Sequence, residues 1–143
     1  GTVRINKPLR SRLGLSDEDV DRGIEATRNK VKRRVLELRG ERPLPDVSGR
    51  TVVLCDNGLA SGFTMRTAVG GMRDAAPEQI IVAVPTAHTE SVEHIIEDID
   101  CLYCANMRGG IRFAVAGAYR NWRDVPLEEA QSLLEQFSCE GET

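Results

Sequence analysis

The chain has 143 residues, of which 41% are hydrophobic and 29% are charged. This length suits about one domain, and the composition is that of a globular protein, which excludes a disordered chain. No apolar run approaches the roughly 18 residues that a membrane span needs, so we expect no membrane partner. No secretion signal opens the chain, and we expect a cytoplasmic protein.

The net charge of −3 argues against a general nucleic-acid binder. The charge is unevenly placed: residues 1–50 hold 13 Lys and Arg against 8 Asp and Glu (net +5), and residues 51–143 hold 6 against 14 (net −8). Such asymmetry indicates either an interaction surface or a basic helix packed on an acidic body. We favour the second hypothesis because the total is not basic.

The first part of the chain predicts a short strand, a helix and a connector. Residues 2–6 alternate weakly, as in a strand. Ser16 and the three acids after it predict a helix start, and Gly40 predicts its end. Five of the residues 28–34 on this helix are Arg or Lys, and we interpret them as a solvated face in preference to a nucleic-acid patch. Residues 41–50 are a proline-rich connector.

From residue 51 the pattern alternates between short apolar runs and amphipathic stretches. Strands are predicted at 51–55, 80–84 (closed by Pro85) and 101–104, helices at 64–74, 89–99 and 127–137, and an extended piece at 113–116. The apolar run at 51–55 predicts a strand buried on both faces. This order predicts an α/β doubly wound parallel sheet. We expect one domain in all, with 1–50 as its helical entry and 51–143 as its core.

The loop after the first of these strands is the candidate for chemistry. Two polar side chains, Asp56 and Asn57, follow the strand directly. Gly58 and Gly62 allow positive φ and close backbone approach. Backbone amides at the start of the next helix, together with the hydroxyls of Ser61 and Thr64, suit a phosphate. Asp56 and Asn57 suit vicinal hydroxyls, so the loop fits a ribose 5-phosphate. A simple turn is the alternative.

The segment Val52–Thr64 resembles the 5-phosphoribosyl 1-diphosphate (PRPP) motif of type I phosphoribosyltransferases. That motif has an apolar strand, two acids, a short turn and then Ala/Thr-Ser/Thr-Gly-x-Thr. The flanking segments resemble those of the small stand-alone branch of the family. The matching features are a charged helix followed by the connector Arg39–Pro45, the strand Ile81–Pro85 and the segment Phe113–Arg120. The resemblance covers nearly the whole chain and implies the family's Rossmann-like sheet.

The resemblance implies a role for each residue of the loop. Asp56 and Asn57 would bind the ribose hydroxyls, and Asp56 is the expected catalytic residue. The 5-phosphate would lie on Ala60, Ser61, Gly62, Phe63 and Thr64. The implied activity belongs to nucleotide metabolism: a pentosyl glycosyltransferase reaction in which a base nitrogen displaces pyrophosphate from PRPP. Mg²⁺ would bind through the diphosphate, and no metal ligand of the chain is expected.

Three departures from the family pattern bear on activity. Asn57 replaces the second acid and brings no charge. Ala60 stands where hypoxanthine-guanine enzymes have an Asp, which argues against 6-oxopurine substrates. No pyrophosphate-binding loop precedes Ser16, so we expect a domain that is incomplete at its N-terminus. The resemblance thus implies an enzyme but leaves open whether this chain alone is active.

Other reactive residues have plainer interpretations. Cys101 and Cys104 form a C-x-x-C, but residues three apart on a strand point to opposite faces, so we expect no metal. The four cysteines do not indicate a disulfide framework. His88 is expected in a solvated loop after the second strand, and His94 on an exposed helix. The three aromatics among residues 113–122 favour a cluster under the sheet over stacking on a base.

Three hypotheses remain at this point. The first is a phosphoribosyltransferase domain that binds PRPP or a nucleoside 5-monophosphate. The second is a non-catalytic regulator or ligand-sensing module of the same fold, which Asn57 favours. The third, nucleic-acid binding through residues 28–34, is the weakest because the chain is acidic. A homodimer is left open.

Overall fold

The computed structural model describes residues 2–139. Its elements in chain order are α1 (Lys7–Leu13), α2 (Asp17–Arg39), β1 (Thr51–Cys55), α3 (Phe63–Arg73), β2 (Gln79–His88), α4 (Thr89–Glu93), a 3₁₀ turn (Ile96–Asp98), β3 (Cys101–Arg108), a second 3₁₀ turn (Val115–Ala118) and α5 (Leu127–Cys139). The chain up to Asn6 and Pro45–Trp122 form one compact unit, the sheet unit. Lys7–Leu44 and the chain from Arg123 onward form the helical unit. The expected grouping into one domain stays a prediction.

The sheet unit is built on a three-stranded parallel sheet with the order β1-β2-β3. Val53 pairs with Ile81 in one ladder, and Val82 pairs with Leu102 in the other. Parallel neighbours need a crossover connection, which α3 supplies between β1 and β2 and the segment with α4 supplies between β2 and β3. The predicted α/β parallel architecture is confirmed.

The main core of the sheet unit lies on the face of the sheet to which Ile80, Val82 and Val84 point. Nine described hydrophobic residues of the sheet unit are buried: Leu59, Met65, Val69, Ile80, Val82, Val84, Ala87, Ile95 and Ile99. On the opposite face Val53, Tyr103 and Met107 are 54%, 63% and 59% exposed. The prediction that β1 is buried on both faces is therefore wrong, because α3 and α4 pack on a single face.

Several predicted boundaries differ from the structure. Residues 2–6 do not join the described sheet, which consists of β1, β2 and β3, so the strand predicted there is wrong: a strand needs a neighbour to pair with. β2 continues through Pro85 to His88, and its pairing with β3 skips Pro85 and resumes at Thr86. Pro85 lacks one backbone donor, but the ladder on either side of it is intact. β3 likewise runs to Arg108, beyond the predicted end at residue 104.

Two predicted elements after β2 are replaced wholly or partly by 3₁₀ turns. The helix expected at 89–99 is the short α4 followed by the 3₁₀ turn Ile96–Asp98. Ile95 and Ile99 are still buried, so the apolar spacing predicted burial correctly but overestimated the length of the helix. The extended piece expected at 113–116 is replaced by the 3₁₀ turn Val115–Ala118.

The helical unit shows the predicted start and end of α2. The Ser16 hydroxyl accepts from the Asp19 backbone N–H at 3.1 Å, and the Asp19 carboxylate accepts from the Ser16 N–H at 3.0 Å. This capping box satisfies two backbone donors. Gly40, with φ 62°, ends the helix. α2 contacts α5, where the Gln131 side chain donates to the Glu37 carbonyl at 2.8 Å. Within residues 2–139, no helix has the length and apolar character needed to cross a membrane.

Candidate functional site

The loop between β1 and α3 is fastened to β2 beyond the end of β1. β1 pairs with β2 as far as Cys55, opposite Ala83. Leu59 then forms an isolated parallel bridge with Ala87 of β2. Its N–H donates to the Thr86 carbonyl at 3.0 Å, and its carbonyl accepts from the His88 N–H at 2.9 Å. The Leu59 side chain is only 2% exposed. The loop is therefore held at the carboxyl end of the sheet, where open α/β sheets bind ligands.

The two glycines of the loop occupy positions that other residues would fit poorly. A Cβ on Gly58 would lie 2.7 Å from Val115 Cγ1 and 2.9 Å from Thr86 Cγ2. Gly62 has φ 71° and precedes α3 as its N-cap. The Ser91 hydroxyl donates to the Ala60 carbonyl beside it. These contacts fix the backbone path that the sequence assigned to a phosphate-binding turn.

The five predicted phosphate-binding residues lie together around the first turn of α3. Ala60, Ser61 and Thr64 are exposed, Phe63 is half-buried, and Gly62 is buried as backbone. The N-terminus of α3 has no side-chain cap and no acidic residue in its first turn. The Phe63 N–H donates weakly to Ser61 Oγ at 3.5 Å, and the dipole and the other first-turn amides favour an anion there. The structure assembles the predicted cradle, and phosphate binding by these residues stays a prediction.

The two predicted ribose-binding residues follow β1 directly and are exposed. The Asp56 carboxylate accepts from the Asn57 backbone N–H at 2.8 Å. The Tyr119 hydroxyl donates to the Asn57 carbonyl at 2.7 Å. Tyr119 thus holds the loop from a segment far away in sequence. The assignment of Asp56 and Asn57 to a ribose stays a prediction.

A cavity of about 430 Å³ opens beside the loop. It is lined by Ala60, Ser61, His88, Glu90, Gly110 and Phe113, among others. Sequence reasoning missed Glu90 and Gly110 because no local pattern connects residues from three separate segments. In this cavity the loop before α3 meets the end of β2 and the segment after β3.

His88 and the aromatic residues lie elsewhere than expected. His88 is the last residue of β2 and is half-buried, so its placement in a solvated loop was wrong. Its Nε2 forms a hydrogen bond with the Gly110 carbonyl at 3.1 Å, and its ring meets Phe113 edge-on, with centroids 5.4 Å apart. Tyr119 and Trp122 form a second edge contact at 5.1 Å. Phe113 lines the cavity and Tyr119 contacts the loop, so these aromatics lie at the edge of the sheet where the loop is, not under the sheet.

Comparison with known proteins agrees with this geometry. A family model described as the phosphoribosyl transferase domain matches residues 5–122, which is most of the chain. The chain belongs to the phosphoribosyl transferase domain family. The matched range includes the loop, all three strands and the segment that supplies Phe113 and Tyr119.

Individual relatives of this phosphoribosyl transferase domain are similar at low identity. Two proteins from Mycobacterium tuberculosis strains, CDC 1551 and H37Rv, are each 26% identical over 106 residues, and both are named as candidate phosphoribosyl transferases. The match covers 74% of this chain but 24% of either relative. The crystal structure of TT1426 from Thermus thermophilus superposes with a TM-score of 0.71 at 28% identity, over 87% of this chain and 59% of that one. The phosphoribosyl transferase domain described here therefore spans less than two thirds of these relatives.

The remaining candidate residues of the phosphoribosyl transferase domain lie outside the loop. Cys104 donates its thiol to the Asn106 carbonyl at 3.5 Å, and both Cys101 and Cys104 are free. His94 is exposed at the end of α4, as expected. Among the residues that the structure describes, no three His, Cys, Asp or Glu side chains group as metal ligands. The side chain of Cys139 lies outside the described residues.

Proposed function

We propose that this phosphoribosyl transferase domain binds the ribose 5-phosphate part of PRPP, or of a nucleoside 5-monophosphate, on the loop from Asp56 to Thr64. One observation supports the proposal above the others. The uncapped N-terminus of α3, with the exposed hydroxyls of Ser61 and Thr64, follows a loop whose backbone is bonded to β2 through Leu59. A helix N-terminus that suits an anion and two polar side chains that suit a diol therefore lie on one turn, which supports the proposal.

The proposed reaction transfers the phosphoribosyl group to a base nitrogen. The bond between ribose C1 and the diphosphate oxygen breaks, and pyrophosphate leaves with the electron pair. A bond from C1 to the base nitrogen forms, and that nitrogen loses a proton. Positive charge develops on the ribose in the transition state, so a nearby carboxylate stabilises it. Asp56 is the carboxylate of the loop and is proposed for this role.

Magnesium fits this proposal as an ion bound to the diphosphate of PRPP. Mg²⁺ prefers oxygen ligands, and it is commonly held by one or two carboxylates together with substrate phosphates and water. In this proposal the diphosphate and water supply those oxygens, because Asp56 and Asn57 are assigned to the ribose hydroxyls. When bound, the ion neutralises charge on the leaving diphosphate. A cytoplasmic setting remains an expectation from the sequence, and a homodimer remains an expectation of the resemblance.

A second candidate function is ligand sensing without catalysis. Asn57 supplies a hydrogen-bonding amide where the family pattern has a second acid, so the loop bears one negative charge instead of two. With less charge to stabilise the transition state, the loop would still bind a nucleotide. The two candidates differ in one product: transfer to a base releases pyrophosphate, and sensing does not.

Calorimetry tests the binding step directly. The chain is titrated with PRPP and Mg²⁺, and with nucleoside 5-monophosphates. Asp56→Ala should weaken binding by about tenfold or more, since a hydrogen bond to a charged group contributes roughly 1.5–3 kcal/mol. Asp74→Ala is the matched control, because Asp74 is exposed at the opposite end of α3. Absence of binding, or equal affinity in Asp56→Ala, contradicts the proposal. A pyrophosphate-release assay then separates transfer from sensing.

A further inference from the structure

A second cavity adjoins the first, and no residue of the loop before α3 belongs to its lining. It measures about 350 Å³, and its lining includes Arg108, Gly109, Gly110 and Arg112. Gly110 and Phe113 line both cavities. The two spaces are therefore neighbours, with the loop residues Ala60 and Ser61 in the first and two arginines in the second.

Arg108 is held in place by neutral groups. Its Nη1 donates to the Gly117 carbonyl at 3.3 Å. With the Asn106 side-chain amide turned so that both of its ends are satisfied, the amide oxygen accepts from Arg108 Nε at 2.9 Å and Nη2 at 3.2 Å. A guanidinium has five N–H donors, so these three bonds leave two for a ligand. The positive charge is positioned but not neutralised by these contacts.

The two cavities differ in charge. Among the described residues, none of the ion pairs involves Arg108 or Arg112. No Asp or Glu belongs to the lining of the second cavity, whereas Glu90 belongs to that of the first. Arginine favours carboxylate and phosphate oxygens, which it binds with paired N–H donors. The second cavity is therefore the better place for an additional anionic group.

From these observations we infer that Arg108 and Arg112 form an anion subsite that selects nucleotides with a negatively charged group on the base. The inference rests on the proposed function, which puts the 5-phosphate on the loop before α3. A bound nucleotide then has its phosphate at that loop, and its base reaches toward the shared wall of Gly110 and Phe113. A carboxylate on the base would meet the arginines beyond that wall. The acceptor class is accordingly a base that carries a carboxylate.

The test compares two nucleotides that differ in one group. Nicotinate mononucleotide carries a carboxylate where nicotinamide mononucleotide carries a carboxamide of nearly the same shape. Calorimetry on the wild-type chain should show about tenfold tighter binding of the carboxylate form. Arg108→Gln and Arg112→Gln should each reduce that ratio, and the double variant should abolish it. Raising the salt concentration should also reduce the ratio, because screening weakens exposed charges.

Arg50→Gln is the matched control. Arg50 immediately precedes β1, at the opposite end of the strand from the loop, and the substitution removes the same charge. The control should keep the wild-type ratio. Equal affinity for the two nucleotides in the wild-type chain overturns the inference, as does a ratio that survives the double substitution.

The outcomes separate this inference from the proposed function. If both mononucleotides and uridine 5-monophosphate bind equally, and binding depends on Asp56, the proposed function stands and the anion subsite is wrong. If neither PRPP with Mg²⁺ nor any nucleoside monophosphate binds, the proposed function fails and the subsite fails with it; if PRPP binds and no nucleoside monophosphate does, only the subsite is wrong. Circular dichroism of each arginine variant checks that the sheet unit is still folded.

Discussion

At the scale of single residues, the loop before α3 is shaped by contacts that leave no room for a side chain at Gly58. Val115 and Thr86 already fill the space where its Cβ would lie, and Gly58 itself is buried. Val115 belongs to the 3₁₀ turn near Tyr119, whose hydroxyl holds the neighbouring residue of the loop, Asn57. The position of Asp56 and Asn57, the proposed ribose-binding pair, thus depends on packing against a segment more than fifty residues away.

Gly58→Ala is expected to displace the loop. The new methyl would overlap Val115 and Thr86, and overpacking of this kind costs about 1–3 kcal/mol. Both the melting temperature and the affinity for nucleoside monophosphates should fall, the affinity by about tenfold. Gly71→Ala in α3 is the control, since its Cβ would meet only Thr2 Oγ1 at an ordinary 3.6 Å. Unchanged nucleotide affinity in Gly58→Ala would show that nucleotide binding does not depend on the position of this loop.

At the scale of elements, Asp100 joins three parts of the sheet unit at the end opposite the loop. Its carboxylate accepts from the Ile80 backbone N–H at 2.7 Å and from Arg73 Nη2 at 2.9 Å. These bonds connect the start of β2 and the end of α3 to the residue before β3. The Ile80 hydrogen bond, helped by the Arg73 guanidinium, holds the pKa of Asp100 below its ordinary value of 3.8.

A lowered pKa in the folded state makes stability depend on pH. The contribution of Asp100 is present above pH 3.8, and it is lost as the pH falls through the lower folded value. Asp100→Asn should therefore lower the melting temperature at pH 7 and should flatten the loss of stability below about pH 4. Thermal denaturation across the acid and neutral range measures both effects, with Asp74→Asn as control. An acid profile identical to that of the wild type would contradict the role of Asp100.

At the scale of the whole molecule, ligand binding and stability are linked. A nucleotide that binds only the folded chain stabilises it by about 2.7 kcal/mol at roughly 100 times its dissociation constant. For a chain of this size that corresponds to a rise of about 5–10 °C in melting temperature. Adenosine 5-monophosphate should produce this rise, and adenosine should not, because it lacks the phosphate. Equal shifts from the two compounds would argue against a phosphate cradle at α3.

The apolar pattern of the strands predicted the sheet but not which of its faces is covered. The apolar runs at 51–55 and 80–84 predict parallel strands, and the structure has β1 at Thr51–Cys55 and a longer β2 at Gln79–His88. The first of these runs also predicted burial on both faces, yet Val53 is 54% exposed. An apolar side chain shows that a residue can be buried, whereas the packing of helices decides which face is covered.

The sequence alone determined the features that depend on neighbouring residues. The capping box of Ser16 and Asp19 is a contact between residues three apart, and it could be identified from residue types alone. The strand, loop and helix from Thr51 to Arg73 could likewise be predicted from the pattern of neighbouring residues. The residue types of the segment Val52–Thr64 carry the resemblance to type I phosphoribosyltransferases, and that resemblance implies the candidate phosphate and ribose residues.

Only the tertiary structure decided which distant residues share the site. His88 meets Gly110 across 22 positions, and Tyr119 meets Asn57 across 62. Neither pair leaves a periodic signal, because such contacts depend on how β2 and β3 align and on where the chain turns after them. For the same reason no local pattern connects Arg108 and Arg112 with the loop before α3, whereas the two cavities share Gly110 and Phe113 and so connect them in space.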